Sequence, residues 1–215
     1  MNILNLASLA HQLSDRLQRP LPGPSSHAKM SATAASGHRM RFKQNGETRK
    51  GAVLILLYED SEAVRFVLTQ RPEYNGTHGG QVSFPGGKQE ETDPDLIATA
   101  IRETEEEIGI SGELINVVGT LSEFYVGASN HLVLPVVGIV SQIPIFTPDP
   151  YEVAEVFTVP LPQLLAADRV KDTVLEVGKE RFKLKAPYFD FHNKIVWGAT
   201  AGMLSEFKDI LMELQ

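Results

Sequence analysis

The chain has no cysteine, a single tryptophan and few aromatic residues, 7% of its 215 positions, and it contains no long apolar run. Without cysteine there can be no disulfide framework and no thiolate nucleophile or metal ligand. No stretch approaches the ~20 consecutive apolar residues that cross a bilayer, so no membrane is expected as a partner. An excess of positive charge is missing as well. Twenty Lys and Arg against 27 Asp and Glu leave a net charge of −7 and a pI near 5.4, which disfavours a nucleic-acid backbone as the main partner. The stretch from Met1 to Leu9 is apolar but lacks a basic flank and a long apolar centre, so no signal peptide is expected and the chain reads as cytoplasmic. The length suffices for one well-buried domain with some chain left over.

What is present concentrates between Gly86 and Ile110, where a glycine turn and an acidic loop lead into a helix crowded with carboxylates at its end. Asp93 suits the N-cap and Pro94 the first helical position, where a missing N–H costs nothing. Ile97, Ala100, Ile101, Thr104 and Ile108 recur at helical spacing and form one apolar stripe. Gly109 is expected to close the helix in the left-handed conformation, with Ile110 folding back on the last turn. At ~100° per residue, Glu103 and Glu107 lie nearly above one another, with Glu106 on the adjoining flank. Glutamates in a last turn meet the negative end of the helix dipole. Like charges at i,i+4 cost only ~0.2–0.5 kcal/mol per pair, so a solvated acidic face is one reading of this cluster. A second reading takes in Phe84-Pro85-Gly86-Gly87, a strand end and tight turn that can bring a backbone carbonyl near the helix. Carboxylate and carbonyl oxygens together suit a hard divalent cation, and a cation suits a pyrophosphate.

These residues resemble the Nudix hydrolase box, G-x5-E-x7-R-E-U-x-E-E-x-G-U, where U is aliphatic or similar. Arg102-Glu103-Thr104-Glu105-Glu106-Glu107-Ile108-Gly109-Ile110 matches its second half, with Thr104 at the first U. The first half departs: Asp93 stands where the box has Glu, and eight residues instead of seven separate it from Arg102. Leu68-Thr69-Gln70-Arg71 and the run from His78 to Gly87 resemble the segment preceding the box in coenzyme A pyrophosphatases, a subfamily that shares the Asp and the longer spacing. Leu134-Pro135-Val136-Val137-Gly138 and Val196-Trp197-Gly198-Ala199-Thr200-Ala201-Gly202 are similar to its later segments, so the likeness covers about residues 50–205. Pro72, Asn75 and Gly76 replace the Ser, Leu and Arg common there, and loss of a guanidinium that can grip phosphate predicts weak discrimination between coenzyme A and its dephospho form.

The resemblance implies an α/β fold, a mixed β-sheet sandwiched between helices, with the box as loop, helix and loop at one sheet edge. It implies Glu103 and Glu107 as principal Mg²⁺ or Mn²⁺ ligands, Glu106 as a further ligand or water orienter, Gly87 as a carbonyl ligand, and Arg102 as the clamp on a glutamate. Glu103 is the chosen general base, with Glu152 and Glu155 as alternatives. Arg71, His78 and Lys88 are candidates to contact substrate phosphates, each weighed against an ordinary structural or surface role. Trp197 reads as core before substrate platform, and residues 125–131 as a candidate substrate mouth. The expected reaction is cleavage of coenzyme A or acyl-coenzyme A to 3′,5′-ADP and 4′-phosphopantetheine or its acyl form. Hydrolysis of ADP-ribose or NADH stays open beside it, as does a nucleotide-binding domain without turnover. A homodimer is also left open.

Around that centre, residues 1–49 read as a leading segment and 50–215 as the Nudix domain. Within the first, 3–17 form an amphipathic helix through Leu6, Leu9, Leu13 and Leu17, and 20–37 a linker or wrapping loop. Strands are expected at 52–58, 64–68, 81–84, 114–125, 132–140, 153–158 and 182–189, with further helices at 161–167 and 199–214. Helices interspersed among strands in this order point to α/β layers.

Overall fold

The structure, a computed structural model, describes residues 5–34, 48–73, 79–178 and 182–215. In chain order it runs α1 (Leu6–Leu17), α2 (Pro24–His27) continuing as a 3-10 turn (Ala28–Met30), β1 (Thr33–Ala34), β2 (Arg49–Glu59), β3 (Val64–Gln70), β4 (Val82–Ser83) and β5 (Gly86–Lys88). There follow α3 (Leu96–Ile108), β6 (Asn116–Thr120), β7 (Phe124–Val126), β8 (His131–Ile139), β9 (Glu155–Pro160) and α4 (Leu161–Leu165). The chain ends with β10 (Val170–Val177), β11 (Phe182–Phe191), β12 (Lys194–Val196) and α5 (Gly198–Glu213).

The strand β2 organises everything else. It is a nearly continuous apolar run, as a strand covered on both faces should be. Successive side chains point to opposite faces. Ala52, Leu54, Leu56 and Tyr58 enter a core shared with Ala100 and Ile108 of α3, while Ile55 and Leu57 enter a second core shared with Leu204, Phe207 and Ile210 of α5. Along one edge β2 pairs in parallel with β8; antiparallel partners are β3 near its end and β5 near its start. The sheet is therefore mixed and lies between helices, as expected. A smaller antiparallel sheet joins β1, β11 and β10, with β12 on β11.

The strand expected over 114–125 is broken into β6 and β7, both of which pair with β8. Ser122 lies in the gap, and its hydroxyl and N–H both turn to the buried carboxylate of Glu206 on α5, at 2.7 and 3.4 Å. A ladder position would have pointed that N–H elsewhere. Also unforeseen were β10, β12 and β1; β10 is largely exposed along its length, so it offers little hydrophobic contrast to read.

Of the two expectations for residues 20–37, the described part wraps. Pro24 opens α2 at its first turn, and the segment is held to α5 by polar groups: Gly23 N–H and His27 Nε2 reach Glu206 at 2.9 and 2.8 Å, and Ser26 and Lys29 bond Asp209. Burial pushes the Glu206 carboxyl up, but hydrogen bonds from His27, Ser122 and Gly23 outweigh it and hold the group below its usual range. Leu6, Leu9, Leu13 and Met30 belong to the same core as α5. Asn5 caps α1 by accepting from Ser8 N–H at 2.8 Å, and Arg16 at its last turn pairs with Glu213 at 2.6 Å. Because Leu13 is fully buried, Leu13→Ala should lower unfolding free energy in a urea titration by about 2–5 kcal/mol. A loss within about 0.5 kcal/mol, the range of surface changes, would show that α1 is not part of the core.

Candidate active site

The helix α3 begins later than expected. Asp95, not Asp93, is its N-cap, accepting from Ala98 N–H at 2.8 Å. Asp93 is occupied otherwise: its carboxylate takes both Nε and Nη2 of Arg102 at 2.9 Å, the Glu90 N–H at 2.9 Å and the Thr99 hydroxyl at 3.0 Å. A paired guanidinium–carboxylate contact of this kind is stronger than a cap bond. It holds the Asp93 carboxyl far below the usual carboxylate range and raises Arg102. The extra residue before the helix is thereby accommodated in a loop fastened by Arg102, which also donates to the Lys88 carbonyl at 3.0 Å, Glu103 Oε1 at 3.1 Å and Glu106 Oε2 at 2.8 Å. The expected clamp on Glu106 is present, although Asp93 is the larger engagement.

The last turn of α3 carries the unusual charges. Glu107 is 2% exposed. Its Oε2 accepts from Gly86 N–H at 3.2 Å, and Oε1 lies 3.5 Å from Arg71 Nη2. Burial is the main force on this group, opposed by Arg71 and the Gly86 N–H and reinforced by Glu103 and Glu152; the outcome is a carboxyl raised to about 7. Burial likewise raises Glu103, against the pull of Arg102. Glu103 faces Gly87 so closely that a Cβ at position 87 would overlap its carboxylate and force that carboxylate to move.

A third carboxylate arrives from downstream. Gly109 closes α3 at φ +73°, as expected, and Ile110 is buried behind it. The carbonyls of Ile108 and Glu107, left without helical partners, accept from Thr147 N–H at 2.9 Å and Asp149 N–H at 3.0 Å. The chain then turns and brings Glu152 beside the helix. Ligand oxygens of Glu103, Glu107 and Glu152 lie within 4.8 Å of one another. Two unit charges at such a distance repel by on the order of 3 kcal/mol at an effective dielectric near 20, more than a surface ion pair returns. The guanidinium groups of Arg102 and Arg71 offset part of that repulsion, and a proton or a cation would relieve the rest. Carboxylate oxygens on a helix next to the half-buried backbone of Gly87 fit a hard divalent cation.

The other sequence candidates fall as follows. Glu106 is outside this cluster, its side chain 60% exposed and bonded to Arg102. Glu155 is also outside, paired with Lys194 at 2.8 Å. Arg71 faces Glu107, Lys88 is exposed on β5, and His78 and Gly76 lie outside the described residues. Trp197 is half-buried before α5. Residues 125–131 form the β7–β8 turn, closed by Tyr125 Oη to Asn130 at 2.9 Å. Asp149 and Thr147 were missed, because carbonyl capping by a distant backbone leaves no periodic trace in the sequence.

A model of the NUDIX domain matches residues 48–177. The chain belongs to the Nudix family. It is 39% identical over 182 residues to "Nudix hydrolase 15, mitochondrial" of Arabidopsis thaliana, covering 80% of this chain and 61% of that protein. Against "Nudix hydrolase 22, chloroplastic" of the same plant the identity is 39% over 165 residues, 73% of this chain and 53% of the relative. The chain thus spans roughly half to three fifths of the length of these plant relatives. A protein described as uncharacterized Nudix hydrolase NudL, from Yersinia pestis (strain Pestoides F), is 36% identical over 157 residues, 73% of this chain and 76% of its own. Among solved structures, a Nudix hydrolase from M. smegmatis, RenU, superposes with a TM-score of 0.55 at 16% identity, covering 86% of this chain and 95% of that one. The fold is the Nudix fold. Among the described residues no helix is long and apolar enough to cross a membrane.

A pH dependence of the metal-free protein follows from Glu107. Its carboxyl rises from 4.5 to about 7 on folding, so the folded state binds the proton more tightly than the unfolded one. Its stabilising effect is therefore complete below pH 4.5 and is lost as pH climbs toward 7. Urea midpoints should fall over that interval without metal, with the raised Glu103 acting in the same sense, and Glu107→Gln should lessen the decline. Equal slopes in both proteins would contradict the assignment.

Proposed function

We propose that this Nudix domain is a divalent-metal-dependent pyrophosphohydrolase that cleaves coenzyme A or acyl-coenzyme A to 3′,5′-ADP and 4′-phosphopantetheine or its acyl form. The observation that carries the reaction type is the cluster of Glu103, Glu107 and Glu152 beside Gly87, three acidic groups whose proximity calls for a cation. The substrate class rests on the segments at 68–71, 78–87, 134–138 and 196–202, which resemble coenzyme A pyrophosphatases. In this reading Glu103, Glu107 and Glu152, with the Gly87 carbonyl, would hold Mg²⁺ or Mn²⁺. Glu106 stays available at the rim under the control of Arg102. A bound divalent cation neutralises the diphosphate and acidifies the attacking water.

The protein's own part is orientation and proton transfer. Arg102 fixes Glu103 and Glu106 relative to the loop 88–93. Glu103 accepts the proton of the attacking water, with Glu152 as the alternative base; Glu155 is committed to Lys194. Arg71, His78 and Lys88 supply positive charge for the substrate phosphates, and Arg71 also offsets Glu107. A different ADP-linked substrate, such as ADP-ribose or NADH, is favoured by one observation only, the loss of the subfamily arginine at Gly76. A binding role without turnover has no use for these mutually repelling acids.

The test is a turnover screen over coenzyme A, acyl-coenzyme A, ADP-ribose and NADH with Mg²⁺ or Mn²⁺, products being identified by mass. Coenzyme A substrates should be cleaved fastest, and removal of a general base should cost about 100- to 10 000-fold in kcat for Glu103→Gln, with an unchanged circular dichroism spectrum. Full activity after chelation, or Glu103→Gln turning over at the natural rate, would exclude this mechanism.

A further inference from the structure

We propose that Asp149 is a positioning residue, which sets the place of Glu152 in the carboxylate cluster through an Asx turn anchored on the end of α3; this rests on the reading of Glu152 as part of the metal site. The segment 146–154 is pinned at both ends. At one end Thr147 N–H and Asp149 N–H take the free carbonyls of Ile108 and Glu107, and the close approach needs Gly109, where a Cβ would overlap the Thr147 side chain. At the other end Val153 is buried in the α3-side core and Ala154 N–H donates to the Gln70 carbonyl at 2.8 Å, at the end of β3. Glu152 itself is exposed.

Its place is set from Asp149. The Asp149 carboxylate accepts from Tyr151 N–H at 2.9 Å, and the Asp149 carbonyl accepts from Glu152 N–H at 3.1 Å and Val153 N–H at 2.8 Å. This one turn delivers Glu152 to the side of Glu107, whose own carbonyl is held by the Asp149 N–H. The same residue thus grips the backbone of one carboxylate and folds the turn that presents another. A bare acid at this helix end is electrostatically unhelpful, since the dipole and Glu107 are both negative. What the turn uses is the side-chain oxygen as an acceptor, which asparagine also has and serine has in weaker form.

The experiment is Mn²⁺ titration of the protein without substrate, followed by electron paramagnetic resonance, with thermal melts of the metal-free proteins as the control for folding. Supporting groups around metal ligands typically change affinity about 10- to 100-fold, so Asp149→Ala should weaken Mn²⁺ binding by roughly tenfold. Asp149→Ser should fall between Ala and the natural protein, and it decides the matter if the alanine variant does not fold. Asp149→Asn should stay within about twofold, and in a Glu152→Gln background Asp149→Ala should add less than about twofold, because the two act through one group. If Glu152→Gln weakens binding while Asp149→Ala and Asp149→Ser do not, positioning by Asp149 is refuted and the metal site stands. If Asp149→Ala costs as much with Gln at 152 as with Glu, its effect does not pass through Glu152 and the proposal also fails. No change in Mn²⁺ affinity for Glu152→Gln removes Glu152 from the site and the proposal with it.

Discussion

A buried carboxylate at the negative end of a helix is the constraint to which the rest of the site responds. Glu107 has lost most of its water and sits where the α3 dipole opposes its charge. Three elements answer it: β5 offers the Gly86 N–H, the end of β3 brings Arg71, and the segment at 147–149 takes up the helix carbonyls that make this end negative. None removes the penalty, since the carboxyl remains raised to about 7. The remaining penalty is what a divalent cation would relieve, so in the proposed function the cost in the metal-free fold and the affinity for metal have one origin.

Arg102 divides the acids of this region into two sets. Asp93, gripped by both arms of the guanidinium, is fixed as a charged tie between loop and helix. Glu103 and Glu107 are pushed the other way by burial, Glu103 against Arg102 and Glu107 against Arg71 and the Gly86 N–H. The two sets meet at Arg102 itself, which also donates to Glu103 Oε1 and to the Lys88 carbonyl at the end of β5. Substituting Arg102 would therefore disturb the loop and Glu103 together.

Local signals were legible in the sequence and long-range polar ones were not. The apolar stripe of α3, the Gly109 stop and the buried Ile110 all follow from spacing within one helix, and all are present. Asp93 has the spacing of a cap, but its partner Arg102 sits nine positions on, and a bidentate ion pair outweighs one capping bond. The break at Ser122 and the wrapped course of residues 23–30 answer to Glu206, a single buried acid that looks like any helix glutamate in the sequence. Glu152 was named only as an alternative base, since nothing in the order of residues shows that a helix end will capture the backbone at 147–149. For Arg71 the sequence leaves open a phosphate contact or an ordinary surface cation, and the structure places it opposite the buried Glu107.

Crystals soaked with Mn²⁺ and measured with X-rays at the manganese edge test the central claim most directly. An anomalous peak is predicted at roughly 2.0–2.6 Å from carboxylate oxygens of Glu103, Glu107 and Glu152, with the Gly87 carbonyl within the same reach. A protein that turns over substrate with Mn²⁺ yet shows its anomalous peak away from these carboxylates would contradict it.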